Sequence, residues 1–215
     1  NGKMIISGNG ILKRIGAMIE KSDEIKEIVI EDGITEIGMS AFNNFKTVTS
    51  IIIPDTVETI GKFAFQSCDS LKSITIPSSV QNIEYETVVN NAFEEINVSE
   101  DNEFYCSLDG ILYTKDMSEL VYAPKNRKVI KVADTVEIIG RNAFEYANAE
   151  SVILPDSLKK IDESSFKDSA VKNITIPQSV ERVEKNAFMN CGSLEEIVFL
   201  NLNCYINHEL TTICN

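Results

Sequence analysis

The chain has 215 residues, 43% of them hydrophobic, with 33 Asp and Glu against 20 Lys and Arg and a formal net charge of −13. That balance argues against a surface for a phosphate backbone, which needs clustered positive charge, and against docking on an anionic membrane. No apolar run approaches the roughly 18 residues that would cross a bilayer.

In chain order, residues 1–29 read as an N-terminal cap. "KMIISGNG" is a short strand with a Gly-Asn-Gly turn, and "IKEIVI" already has a strand pattern. The chain opens at Asn1 rather than Met and is read as a processed product from which a targeting segment has been removed. Residues 30–97 then form three repeats, "IEDGITEIGMSAFNNFKTVTSII", "IPDTVETIGKFAFQSCDSLKSIT" and "IPSSVQNIEYETVVNNAFEEIN". Residues 98–131 interrupt the series, with "FYCSLDGILY" and "ELVYAP" as two strands of a hairpin around "TKDMS". Residues 132–198 hold three more repeats, and 199–215 a partial C-terminal coil. No linker rich in Gly, Pro or Ser separates these parts, so they read as one continuous domain over 1–215.

The six copies have 22 or 23 residues and share apolar positions. The fifth position holds Ile34, Val57, Val80, Val136, Leu158 and Val180, and the eighth Ile37, Ile60, Ile83, Ile139, Ile161 and Val183. The thirteenth is Phe42, Phe65, Phe144, Phe166 and Phe188, with Val88 in the remaining copy. A helical-hairpin array needs a period of about 33 residues or more, whereas a leucine-rich coil repeats every 20–29 or so. Proline in four copies and the abundance of Ile, Val and Thr also disfavour helix. The expected fold is a mostly β repeat solenoid: a right-handed leucine-rich-repeat coil of parallel strands with an inserted β-hairpin. In "LKSITIP" the residues Leu71, Ile74 and Ile76 turn inward and Ser73 and Thr75 outward. Pro77 ends the strand because it has no N–H to donate. "SSV", "DTV" and "DSL" make the corner, "VETI" a second short strand, and "GKFAFQSC" turns back through one helical turn. The ninth position is Gly in three copies but Glu84, Asp162 and Glu184 in the others, so a left-handed backbone is not compulsory there. No coil hides its apolar side alone; stacked coils bury a continuous spine of phenylalanines.

The motifs "IPSSV", "IPQSV" and "LPDSL", the "IG" followed by "AF", and the run L-x-x-I-x-I-P resemble the BspA-like leucine-rich repeat proteins of bacterial cell surfaces. The segment "DNEFYCSLDGILYTKDMSELVYAP" is similar to the hairpin that interrupts such arrays. The resemblance implies a secreted or surface-attached bacterial protein that binds proteins of a host, a matrix or another cell. It names no ligand.

The residues themselves offer little chemistry. The one histidine, His208, lies in the degenerate tail. The five cysteines, Cys68, Cys106, Cys191, Cys204 and Cys214, include no C-x-x-C pair, which argues against zinc. They are expected to be mainly unbridged buried thiols, Cys204 and Cys214 being the pair to suspect first. The acidic stretch 99–110 lacks the D-x-D-x-D-G alternation of a calcium loop. No metal, cofactor or catalytic residue is expected. The outward strand ladder is the functional candidate, with Ser73, Thr75, Glu95, Asn97, Asn173 and Thr175 as contact residues. Tyr105 and Tyr113 of the hairpin, beside Phe104 and Tyr122, form a rival contact region. The expectation is a non-enzymatic module that binds a protein, with neither nucleic acid nor an inserted membrane as partner. The alternative is a spacer region of a larger surface protein without its own ligand.

Overall fold

The computed structural model describes residues 2–15, 19, 22–87 and 93–207. Val88, His208 and Cys214 lie outside them, as does the end of the expected closing coil. The chain forms two compact units, Asn1–Gly110 and Ile111–Asn215, which divide within the segment read as the insert.

The first unit contains β1 (Lys3–Ile6), β2 (Gly10–Leu12), β3 (Glu27–Ile30), β4 (Ile34–Ile37), β5 (Ser50–Ile52), β6 (Thr59–Ile60), β7 (Ser73–Ile76), β8 (Asn82–Ile83), β9 (Glu95–Val98) and β10 (Tyr105–Leu108). The strands β1-β3-β5 and β7-β9 form parallel ladders, and β2-β4-β6-β8 form another. Pairs such as Glu27 with Ser50 and Ser73 with Glu95 sit one repeat apart, so the sequence period is the step from rung to rung. The segment expected to cap the array carries β1 and β2, and both continue the ladders, β1 in register with β3 and β2 on β4 with a bulge between Gly10 and Ile11.

The second unit contains β11 (Ile111–Thr114), β12 (Glu119–Tyr122), β13 (Val129–Lys131), β14 (Ile138–Ile139), β15 (Ser151–Ile153), β16 (Lys160–Ile161), β17 (Asn173–Ile176), β18 (Arg182–Val183), β19 (Glu196–Phe199) and β20 (Tyr205–Ile206). The parallel ladders are β13-β15-β17-β19 and β12-β14-β16-β18-β20, with β11 antiparallel to β12 across the "TKDMS" turn. The run "FYCSLDGILY" is two strands rather than one. Asp109 and Gly110, at φ 52° and 70°, break it between β10 and β11. The Asp-Gly pair tolerates this left-handed backbone, which a strand cannot continue through.

Each coil is built the same way. In the four copies with proline the strand ends one or two residues before it. The proline carbonyl then closes the corner: Pro54, Pro77, Pro155 and Pro177 accept the N–H of Val57, Val80, Leu158 and Val180 at 3.2, 3.4, 3.1 and 3.1 Å. Ile-Pro therefore marks both the end of one ladder strand and the start of the turn to the next.

The return segment is not a helical turn, as expected from the sequence, but a chain of tight turns. Its eleventh position is left-handed in all six copies: Ser40, Phe63, Glu86, Asn142, Ser164 and Asn186 have φ between 56° and 62°. The fifteenth is left-handed in Asn44, Ser67, Tyr146, Asp168 and Asn190. These residues re-aim alternate peptide groups along the stack. Phe144 N–H reaches Ser165 O at 2.7 Å, and Phe166 N–H reaches Ala187 O at 2.8 Å. A helical turn would spend those donors within its own coil. The ninth position is not left-handed. Gly38 is there because a Cβ would lie 2.8 Å from the Leu12 carbonyl oxygen of the preceding coil.

Inside each unit the apolar positions are closed to solvent. Phe42 and Phe65 stack with centroids 5.8 Å apart in the first; Phe144, Phe166 and Phe188 stack at 4.7 and 5.0 Å in the second. All five are at most 1% exposed, and burial of each side chain contributes about 1.5–3 kcal/mol. In the third repeat Phe93 is fully buried at the register position of Leu71.

Candidate functional site

The inward and outward sides of the strand ladder separate as the alternation requires. Leu71, Ile74 and Ile76 are buried while Ser73 and Thr75 are exposed, and Ile174 and Ile176 are buried while Asn173 and Thr175 are exposed. In the first unit the outward side chains run Lys3, Glu27, Ser50 along one row and Ile5, Val29, Ile52 along the other, followed on β7 and β9 by Ser73, Glu95 and by Thr75, Asn97. In the second unit they run Val129, Ser151, Asn173, Glu196 and, in the other row, Lys131, Ile153 on β13 and β15 and Thr175, Val198 on β17 and β19. Ser73, Thr75, Glu95 and Asn97 thus share one face, and Asn173 and Thr175 belong to the face of the other unit.

Each face has a groove at the same place in its repeat series. In the first unit one ladder ends at β5 and the next begins at β7. The opening has a volume of about 370 Å³ and is lined by Ser50, Ile52, Ser73, Thr75 and Pro77 among others. In the second, β15 and β17 pair only at Ser151 and Asn173. There a groove of about 350 Å³ is lined by Ile153, Asp156, Thr175, Glu196, Val198 and Leu200, among others. The sequence showed which side chains point outward. It did not show where the ladder opens, because the residues flanking each gap have the same β-branched character as those in closed rungs.

The hairpin aromatics behave differently. Tyr113 is 1% exposed and Tyr122 6%, so neither presents its ring to a partner, a correction to the expected contact region. All of Ile111, Leu112 and Tyr113 are buried, because β11 is covered on both sides and alternation does not expose one face. Tyr105 is half-buried and its Oη accepts the Ile83 N–H at 3.0 Å. Phe104 alone of the four is well exposed, at 44%.

Cys68, Cys191 and Asn102 serve the fold. Cys68 Sγ donates to Phe42 O at 3.2 Å, and Cys191 Sγ to Phe166 O at 3.0 Å. Burial pushes the Cys68 thiol up to about 12, so it stays protonated and is no nucleophile at neutral pH. In the acidic stretch Asn102 is buried and fully engaged. Its amide nitrogen donates to Pro77 O and Val80 O, and its Oδ1 accepts from Phe104 and Tyr105 N–H. These bonds tie the stretch to the corner that Pro77 and Val80 make. Along the rim of the second unit, Glu150 lies between Lys128 and Lys172, each at 2.6 Å, and its carboxyl is held down to about 2 by these two ammonium groups. Among the described residues no helix is long and apolar enough to cross a membrane.

The family model of the BspA type leucine rich repeat region matches in six copies, over residues 12–108 and 115–215. The chain belongs to this family. The repeat is also found in solved structures. A leucine-rich repeat protein from Eubacterium ventriosum is 23% identical with a TM-score of 0.62, over 94% of this chain and 68% of that one. One from Bacteroides ovatus is 27% identical with a TM-score of 0.57, over 90% and 56%. A leucine rich cell surface protein from Faecalibacterium prausnitzii is 20% identical with a TM-score of 0.59, over 89% and 63%. The chain thus spans 56–68% of the length of these three. No curated protein matches it. The BspA-type repeat unites the left-handed return segments, the Phe stack and the parallel ladders in one fold.

Proposed function

We propose that the chain is a non-enzymatic, surface-exposed module that binds proteins through its outward strand faces. The observation behind this reading is the recurrence of a groove at the same repeat position in both units, floored by hydroxyl and aliphatic side chains that the core does not use. Small β-branched and hydroxylated side chains leave room for a partner's backbone to approach, and repeat coils commonly offer such a surface for recognition. The similar Faecalibacterium prausnitzii protein is described as a cell surface protein, which fits a role outside the cell for this one. The partner under this reading is a host, matrix or neighbouring-cell protein.

The test is biolayer interferometry of the purified chain against a panel of purified extracellular-matrix proteins, repeated with Thr75→Lys and Thr175→Lys. Saturable binding to at least one matrix protein, lost in one or both variants with the circular dichroism unchanged, supports the reading. Binding that survives both substitutions overturns it in favour of another surface. No saturable binding to any protein of the panel overturns it in favour of a spacer region.

A further inference from the structure

Two acids that line the second groove have repeat counterparts in the first unit that are hydrogen-bonded and do not line the first groove. In the first unit the corner carboxylate Asp55 accepts the N–H and Oγ of Ser78 at 3.2 and 2.9 Å, and Glu95 accepts Asn97 Nδ2 at 3.2 Å. In the second unit the acids at those repeat positions are Asp156 and Glu196, while Gln178 stands in the place of Ser78 and Val198 in the place of Asn97. Both carboxylates line the groove, and among the described residues neither has a hydrogen-bond or ion-pair partner. Most other carboxylates of this unit are matched: Glu137 with Lys159, Glu145 with Lys167, Glu150 with Lys128 and Lys172, Glu163 with Arg141.

The fold itself shows what such a corner carboxylate accepts from this face. One rung earlier, Lys131 on β13 lies across the outward surface and places Nζ 3.2 Å from Oδ1 of the corner residue Asp134. At the next rung Ile153 occupies the register of Lys131, and Asp156 occupies the repeat position of Asp134. The carboxylate is retained and its lysine is not. Beside it Ile153 is 52% exposed and Leu200 54%, an aliphatic floor of the kind that a lysine stem covers while its ammonium stays at the polar edge.

We propose that the groove of the second unit receives a lysine side chain from an extended segment of a partner protein, its stem on Ile153, Val198 and Leu200 and its ammonium at Asp156, with Glu196 adding negative charge two rungs away. The proposal deepens, and rests on, the reading of the strand face as a protein-binding surface. Charge complementarity selects the occupant: the groove offers carboxylates without cations in a chain of net charge −13. Attraction of this kind raises the encounter rate and discriminates against acidic segments.

The experiment uses the isotopically labelled full chain and two acetylated, amidated peptides, Thr-Val-Thr-Lys-Thr-Val-Thr and the same peptide with norleucine for lysine. The lysine peptide is expected to shift the amide resonances of Ile153, Thr175 and Val198. Its affinity should fall about fivefold with norleucine or in the variant Asp156→Asn/Glu196→Gln, and the difference should shrink at high salt. Equal affinities for the two peptides, an unchanged affinity in the double variant, or no shift at these amides with the lysine peptide would overturn the proposal. Equal shifts from both peptides would remove the lysine preference while leaving the strand-face reading intact. Matrix-protein binding that survives Thr75→Lys and Thr175→Lys would instead remove the reading itself. Sedimentation of the chain alone tests the remaining occupant: a dimer dissolved by Asp156→Asn/Glu196→Gln would seat a second copy in the groove and overturn the assignment to a partner protein.

Discussion

Phe144 lies flat against Phe166, one repeat further along the chain, with ring centroids 4.7 Å apart and planes 8° apart. Phe166 in turn stacks on Phe188 at 5.0 Å and 9°. The spacing is close to that between hydrogen-bonded strands, so the ladder sets the distance between the rings. Each ring covers the next, and a coil removed from the stack would expose its own.

Phe166 is covered by rings on both sides, so its loss leaves both neighbouring rings without a stacking partner. Phe166→Ala should lower the unfolding free energy by about 3–5 kcal/mol through lost burial and a cavity that the stacked neighbours cannot close. Phe166→Leu should lose less because it leaves a smaller void. Urea unfolding followed by circular dichroism measures both.

The left-handed residue of the return segment gives a different signature. Asn186, at φ 58°, is free of the steric penalty only to the extent that Asn tolerates this region. Asn186→Gly should leave stability unchanged or slightly higher, whereas Asn186→Val should lower it by about 1–2 kcal/mol. The same unfolding measurement separates a backbone effect from a contact effect, since both variants remove the side-chain amide.

These return segments also show where sequence reading stopped. The Phe stack and the inward set Leu71, Ile74 and Ile76 were legible because burial leaves an apolar residue at a fixed repeat position. The left-handed positions were not, since Ser40, Phe63, Glu86, Asn142, Ser164 and Asn186 share no chemical character and none is glycine. The stacked backbones hold that geometry through bonds from coil to coil, and tertiary hydrogen bonding overrides the local preference. Tyr113 misled for a related reason: a strand covered on both sides loses the alternation that marks an outward face. Asp156 was legible as the third residue of "LPDSL", but its missing donor became visible only by comparison with Asp55 and Ser78.

Acid should act on the rim of the second unit through Glu150. Its carboxyl is lowered from 4.5 to about 2 by hydrogen bonds from Lys128 and Lys172. A depressed folded-state value means that its contribution is fully present above pH 4.5 and fades as the pH falls toward 2. The group is exposed, so the effect is small and screened by salt. Glu150→Gln should therefore be slightly less stable than the parent at neutral pH, and the two should converge toward pH 2. Thermal melts across that range, at low and high salt, check both the convergence and the screening.

The buried thiols should be chemically silent in the folded chain. Iodoacetamide at mildly alkaline pH, read by peptide mapping, should modify half-buried Cys204 before Cys68 and Cys191. Cys68 and Cys191 should react at appreciable rates only in denaturant, because both are buried out of reach and burial also holds the Cys68 thiol protonated. Early modification of Cys68 would contradict its placement in the core.

The central claim is that one strand divides its labour by side, the inward residues holding the coil and the outward ones left for a partner. Ile174 and Thr175 are neighbours on β17, one buried and one exposed. The direct measurement is urea unfolding of Ile174→Ala and Thr175→Lys side by side. Ile174→Ala should cost about 2–4 kcal/mol, while Thr175→Lys should stay within about 0.5 kcal/mol of the parent. Comparable losses from the two, or a stable Ile174→Ala, would contradict the account.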